Sequence, residues 1–517
     1  MRKKVSIFNE VLGPVMHGPS SSHTAASYFI GRLIRDLLND KPETVIISFA
    51  EGGSYAEVYS QQGSDLGFAT GLMGWPITDE RFFDALQLAR DSGLSIAFTV
   101  EILEEDDHPN AIWIQGVSQG GQEIFVNARS TGGGAVELLN LNGWEVNITG
   151  DAHNLIVETE SSAALKIKEI LSYNDQILIE PSIKERDGMA LIRTQLFRQL
   201  NENALDEINK TDGIKSIWKT SSIKFPKPGD PLYLSGKTLD EYAKKEGCSL
   251  GEAALHYEAA LLGITQEEAI DEMWRRYEIM AQAVEQGLRG NIRGMQLLEP
   301  SAQRIYELET RGDLATGGLH TKAAARALAA MHVNSSMGVV CAAPTGGAAG
   351  TIPGTITTLV DERGLNKIQT VNALFAAGAI GLVLAMRGTF AAEVAGCQVE
   401  IGAAGAMSSA AVVEVAGGSV RQALDAAAIA FQNTMGSPCD LVQGMVEIPC
   451  HTRNALAASS AFVCADLILG GYSNPIPLDE TIDAVMKVGR MLPRELRCTA
   501  LGGLAITPSA LAMKRLR

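Results

Sequence analysis

The chain has 517 residues, room for two to four domains. Its 43 Lys and Arg against 60 Asp and Glu give a formal charge of −17. That balance argues against a nucleic-acid binder or a protein held on anionic membrane, since both need clustered cations. A hydrophobic fraction of 46% rules out a disordered chain, and 52 glycines with only 6% aromatics predict closely packed helices.

The first 145 residues read as mixed α/β. Strands are predicted at Thr44–Phe49, before a Gly52-Gly53 turn, at Ser95–Ile102 and at Ala111–Gly116. Thr131-Gly132-Gly133-Gly134 reads as a loop or helix entry. A small unit follows at 146–200. It has a strand at Asn154–Glu158, a helix at Ala163–Tyr173, a strand at Gln176–Glu180 and another at Ala190–Phe197. That β-α-β-β order fits a small ferredoxin-like module. Residues 201–236 are polar, carry Pro226, Pro228 and Pro231, and read as linker. Beyond them the pattern turns helical, with helices expected at 252–262, 266–286, 321–331, 371–386 and 420–433. The expected class is therefore multidomain α+β, with an all-helical catalytic domain at 237–517.

The most apolar run, Ala373–Met386, holds 14 uncharged residues, a core-helix length rather than the roughly 20 a bilayer needs. The basic start Met1-Arg2-Lys3-Lys4 is soon interrupted by Asn9 and Glu10, unlike a signal peptide. Seven cysteines without an export signal read as reduced thiols of a cytoplasmic protein.

Ser235-Gly236-Lys237-Thr238 ends like a phosphate-binding loop, but Pro231 stands where that loop needs glycine. The cysteines carry more. Cys397, Cys439 and Cys450 each lie beside Gly or Pro in short turns between helices. There is no Cys-x-x-Cys pair for a zinc ribbon. Three thiolates without a His partner suit an iron–sulfur cluster with one iron left open. The alternative is plain packing, because free cysteine is among the most buried residues. The run Gly18-Pro19-Ser20-Ser21-Ser22-His23-Thr24 gathers four hydroxyls and an imidazole at a helix start. Such a turn can bind a carboxylate, or can simply cap the helix. Asn334-Ser335-Ser336-Met337-Gly338 and Ala343-Pro344-Thr345-Gly346 are further polar turns among apolar helices.

Together these segments resemble the bacterial iron–sulfur-dependent L-serine dehydratase (L-serine ammonia-lyase) family, over nearly the whole chain. The Gly18–Thr24 run is similar to that family's β-domain opening, and Asn334–Gly350 to its Asn-x-x-Met-Gly and Ala-Pro-Thr segment. Cys397-Gln398-x-Glu400, Cys439-Asp440 and Pro449-Cys450-x-x-Arg453-Asn454 are similar to its three ligand segments, with spacings of 42 and 11 residues. Gly502-Gly503-Leu504-Ala505 resembles its C-terminal turn.

The resemblance implies a fusion of a β domain, an ACT-like module at 146–200 and the α catalytic domain. It implies a 4Fe-4S cluster on Cys397, Cys439 and Cys450, and a homo-oligomer acting on a small amino acid without nucleic-acid or membrane partners. It makes His23 the acid/base candidate. Ser20, Ser21, Ser22 and Thr24 become carboxylate-binding candidates, with Asn334, Ser336, Thr345 and Arg453 as further substrate contacts.

Three departures stand out. Gln62 occupies the place of a family histidine. Glu160-Ser161-Ser162-Ala163 replaces the Asp-x-Pro-Gly turn of an amino-acid-sensing ACT unit. The family's tail cysteine is missing, so the open iron has no fourth thiolate at rest unless Cys498 or Cys341 moves in. The implied reaction is loss of water across Cα–Cβ of L-serine, giving pyruvate and ammonia. Alternatives are a related lyase for another β-hydroxy or β-thiol amino acid, a pyridoxal-phosphate enzyme around Lys367, or a non-catalytic amino-acid or redox sensor.

Overall fold

A computed structural model describes residues 4–103, 108, 110–173, 176–200 and 202–516. Met1–Lys3 of the basic start lie outside the described residues.

The predicted N-terminal strands form, in a six-stranded sheet. Its spatial order is Ser95–Glu101, Pro42–Ala50, Ala111–Ser118, Glu123–Gly132, Ala135–Leu141 and Trp144–Ile148. Only the pair Pro42–Ala50 and Ser95–Glu101 is parallel, joined by a helical crossover; every other neighbour is antiparallel. This part is thus α+β with a hairpin meander rather than a parallel α/β sheet. Short Gly- and Asn-bearing turns link its last four strands, too short for a crossover helix. Thr131–Gly134 is no helix entry but the tip of one such hairpin. Helix Ala26–Leu38 buries Ile30, Leu33, Ile34 and Leu37, its apolar positions three and four apart, in the core it shares with the sheet.

The ferredoxin-like reading of the next segment stops too early. Its sheet has four antiparallel strands in the order Ile214–Thr220, His153–Glu160, Met189–Leu196, Ile177–Arg186. Helices Ala164–Ser172 and Glu202–Asn209 complete a β-α-β-β-α-β unit. The 201–236 stretch is therefore linker only in its Pro-rich second half. Lys215 and Lys219 made Ile214–Thr220 look polar, yet they sit on its exposed side while Trp218 is buried. That is the alternation of a half-buried strand.

The remaining residues are largely helical, as expected. Helices Leu250–Leu262, Gln266–Leu288, Leu319–Ser335, Lys367–Arg387 and Val420–Thr434 cover the predicted segments. Ser235 with Thr238, Ser249 with Glu252, and Thr265 with Glu268 form capping boxes, so the false phosphate loop is a helix N-cap. Lys367–Arg387 is long and apolar enough to cross a membrane, but 83% of its most apolar window is buried inside the protein. It is apolar all round because neighbours surround it. One short strand interrupts the helices. Val339–Cys341 pairs antiparallel with Val15–His17 and stitches the two ends of the candidate site together.

Packing also crosses the sequence order. Ile7, Phe8, Val11 and Leu12 are buried in the helical core rather than under the N-terminal sheet. Glu258, inside helix Leu250–Leu262, accepts hydrogen bonds from Ser6 Oγ and from the backbone N–H groups of Ile7 and Phe8. Those donors start the helical turn Ile7–Val11, whose first N–H groups have no partner within the turn.

Candidate active site

Strand Val15–His17 delivers the chain to Gly18, whose N–H donates to Gly338 O at 3.0 Å. A Cβ on Gly18 would stand 2.0 Å from Asn334 O, so only glycine lets these backbones meet. The helical turn Ser21–Ala25 follows, running directly into helix Ala26–Leu38. On its other side Gly67 packs against Thr24 O, where a Cβ would come within 2.5 Å. The turn is thus gripped from the N-terminal part and from the Asn334–Gly350 segment alike. Asn334 Nδ2 donates to Pro19 O at 3.1 Å, and Gly346 N–H donates to Ser21 Oγ at 3.2 Å.

His23 is fully buried. Its Nδ1 lies 3.1 Å from both Ser20 Oγ and Ser22 Oγ, and its Nε2 lies 3.0 Å from Ser54 Oγ. Burial holds the imidazole down to about 4, against the pull of the Glu393 carboxylate, so it is neutral at pH 7. Ser22 Oγ donates to Glu393 Oε1 at 2.8 Å, and Tyr55 Oη donates to Ser22 O at 2.9 Å. Thr24 Oγ1 donates to Gln62 O at 2.6 Å. Gln62 itself is buried and donates through Nε2 to Gly444 O at 3.2 Å, so it ties two loops together.

Glu393 belongs to the turn that leads to Cys397. The thiol of Cys397, a carboxylate oxygen of Glu400 and the thiol of Cys439 lie within 4.8 Å of one another. Cys450 is buried as the first residue of helix Cys450–Leu469, where the charge state of Cys397 reaches it. All three thiols are pushed well above the usual range. For Cys397 the hydrogen bond with Cys439 and burial do this; for Cys450 it is burial first. At Cys439 a hydrogen bond with Cys397 pulls down, but one with Cys498, together with burial, outweighs it. Burial and the neighbouring Glu393 raise Glu400 to about 8. Thiols and carboxyls crowded in this way cannot ionise together unless a cation sits among them.

Two residues hold these turns. Asn454 accepts at Oδ1 from Gly350 N, Thr351 N and Thr351 Oγ1, and donates from Nδ2 to Gly347 O and Cys450 O. It pins the Thr345–Thr351 turn to the helix of Cys450. Asp440 pairs with Arg453 at 3.0 Å and accepts from Leu504 N at 3.0 Å. The segment after Arg494 therefore docks on the Cys439 turn. Cys439 N donates to Leu496 O, and Cys498 N donates to Cys439 O.

The sequence-derived candidates thus divide. Ser20, Ser21, Ser22, His23, Thr24, Asn334 and Thr345 share one region with the three thiols. Asn334 Oδ1 is a buried oxygen without a hydrogen-bond partner among the described residues, and the buried Thr345 hydroxyl faces the Glu400 carboxyl. Ser336 stands apart. Its hydroxyl donates to Val333 O at the helix end, whereas the adjacent Ser335 reaches His451 Nε2 at 2.8 Å. Arg453 is occupied by Asp440 and by Pro438 O at 2.7 Å, so it braces the Cys439 turn instead of offering a free carboxylate clamp. Sequence reasoning missed Glu393 as a partner of the serine turn. The signal was its place four residues before Cys397, but no local pattern pairs it with Ser22, 371 positions away. Ser54 and Tyr55 gave no signal beyond the preceding Gly-Gly turn.

The profile of the family described as Serine dehydratase alpha chain matches residues 234–505. The chain is 36% identical over 284 residues to the probable L-serine dehydratase, alpha chain, of Bacillus subtilis, spanning 55% of this chain and 95% of that protein. It is 34% identical over 219 residues to the probable L-serine dehydratase, beta chain, of the same organism, spanning 41% of this chain and 97% of that one. The L-serine dehydratase of Streptomyces coelicolor is 32% identical over 290 residues, 55% of this chain and 62% of that protein.

Proposed function

Because the chain belongs to the serine dehydratase alpha chain family, we propose that it is an iron–sulfur-dependent L-serine ammonia-lyase, forming pyruvate and ammonia. The observation that carries the reading is one hydrogen bond. Ser22 to Glu393 joins the hydroxyl-rich turn to the segment bearing the thiols. The donor set fits a cluster, since burial raises all three thiols, Cys439 opposes the ionisation of Cys397, and Cys397 that of Cys450, a crowding a bound cation would relieve. Those three residues would hold a 4Fe-4S cluster, which supplies a Lewis acid that eases departure of the β-hydroxyl.

The chain's own residues do the rest. Ser20 and Ser22 border the region with hydroxyls suited to a carboxylate, while Ser21 and Thr24 are committed to holding the turn. Asn334 presents an unpartnered oxygen, and Thr345 a hydroxyl beside Glu400. The Glu393 carboxylate faces the serine turn and suits the substrate's ammonium group.

Proton movement follows from the hydrogen-bond directions. A hydroxyl has one proton, and Ser22 gives its own to Glu393. Its oxygen can therefore only accept from His23 Nδ1–H. A proton that enters at Ser54 Oγ can therefore move through His23 Nε2 and Nδ1 and Ser22 to Glu393, each hydroxyl regaining the proton it gives. His23 is thus a relay behind the serine hydroxyls.

The test is anaerobic purification with iron, sulfide and visible-spectrum analysis, followed by pyruvate formation from L-serine. A brown, four-iron protein that makes pyruvate is expected, with loss of iron in Cys397→Ala, Cys439→Ala and Cys450→Ala. Retained iron in all three variants, or a protein that binds none after reconstitution, would overturn the assignment. Gln62 in place of the family histidine motivates a second reading, another β-hydroxy or β-thiol amino acid. A panel with threonine and cysteine separates the two.

A further inference from the structure

Away from the thiols lies a cavity of about 440 Å³. It opens where helix Ala26–Leu38 meets helix Gln266–Leu288 and the segment 222–225. Its wall carries Arg32, Lys224, Arg275 and Arg276 against one carboxylate, Glu272. In a chain of net charge −17, four cations around one cavity run against the overall balance.

Their hydrogen bonds show which charges remain available. Glu272 takes Arg275 through two bonds of 2.8 Å and Arg276 Nε through a third. Arg276 spends Nη1 on the carbonyls of Phe8 and Leu12. Arg32 donates to Gly74 O at 2.8 Å, and Asp36, one turn further along, makes no ion pair with it. The Lys224 ammonium has no hydrogen bond or ion pair among the described residues, and its Nζ lies 5.7 Å from the centre of the Phe29 ring. The carboxylates whose field reaches it, Glu10 and Asp151, are both bridged by Lys227, at 3.1 and 2.9 Å. Burial lowers the pKa of Lys224, a cost that an anion beside it would remove. Lys224 is half-buried, and an ammonium so placed without a side-chain partner is readily satisfied by an anion in the cavity.

We propose that this cavity binds a small multivalent oxyanion, phosphate or polycarboxylate, between Lys224 and Arg32, with the carboxylate-paired Arg275 on the same wall. The site stands independently of the dehydratase reaction. Guanidinium forks match such groups bidentately, and an ammonium supplies the point charge.

The experiment is calorimetric titration of the anaerobic, cluster-loaded protein with pyrophosphate and, separately, with tricarballylate. The latter has three carboxylates and no hydroxyl to imitate a hydroxy-acid substrate. Saturable binding of at least one probe is expected, with Kd below about 1 mM. Both Lys224→Met and Arg32→Gln should weaken it about tenfold or more, with circular dichroism unchanged. The preferred probe distinguishes a phosphate from a carboxylate source. Absence of saturable binding by either probe, or wild-type binding in folded samples of both variants, would overturn the proposal.

Discussion

His23 shows how environment decides what a side chain can do. A histidine on a surface titrates near 6.5, and this one is held to about 4 by burial among hydroxyls. Its neutral form therefore persists across pH 5–8. The acid limb of kcat/KM that His23 contributes should lie near pH 4 rather than 6.5. His23→Asn should lower kcat by about 10²- to 10⁴-fold with little change in KM, measured as pyruvate formation. A purely structural histidine would instead shift the melting temperature and leave the pH profile of the remaining activity unaltered. Arg453 makes the complementary point. A guanidinium beside thiols reads in the sequence as a carboxylate clamp or as a pin for the cysteine turn, and its contacts with Asp440 and Pro438 O favour a pin, on the Cys439 turn.

Between elements, the turn Ile7–Val11 and the helix Leu250–Leu262 depend on one carboxyl. Burial raises Glu258 to about 7, although bonds from Phe8, Ser6 and Ile7 pull the other way. A carboxyl whose folded value exceeds its ordinary 4.5 binds protons more readily when folded. Its contribution is fully present below 4.5 and is lost as pH rises through 7. The stability advantage of wild type over Glu258→Gln should therefore shrink between pH 4.5 and 7, by up to about 1.4 kcal/mol per unit, in chemical denaturation. Phe8, from the same turn, sits near the rings of Phe225 and Phe375 with centroids 5.8 and 6.0 Å away. Phe8→Ala should cost about 3–5 kcal/mol, read as a lower denaturation midpoint. That loss would register in the helical core, where the residue packs, and not in the adjacent sheet.

Across the whole molecule, the site closes only because distant segments converge. The turns before Cys397, Cys439 and Cys450, and the segment after Arg494, touch one another through side chains and a few backbone bonds. Iron removal by a chelator under reducing conditions should lower the melting temperature, because a group bound only by the folded state stabilises it. It should also raise hydrogen exchange in residues 393–400, 436–450 and 494–506 while sparing the four-stranded sheet at 153–220.

The helix at 371–386 was legible because an apolar run of that length has few other homes in water, and that at 266–286 because its buried positions recur three and four apart. The three cysteine turns were legible because Gly and Pro punctuate them and their spacing is distinctive. Strand Ile214–Thr220 was not, since its lysines face solvent and mask an alternation only its sheet partner reveals. Nor was the burial of Ile7 and Phe8 among helices some 250 residues away, or the bond from Ser22 to Glu393. Local order rests on hydrogen bonds and burial periods a few residues long, which side-chain sequence records directly. The pairing of remote charges and hydroxyls depends on which surfaces meet once the chain is compact. Residue types narrow those meetings without naming the partners, and packing settles them.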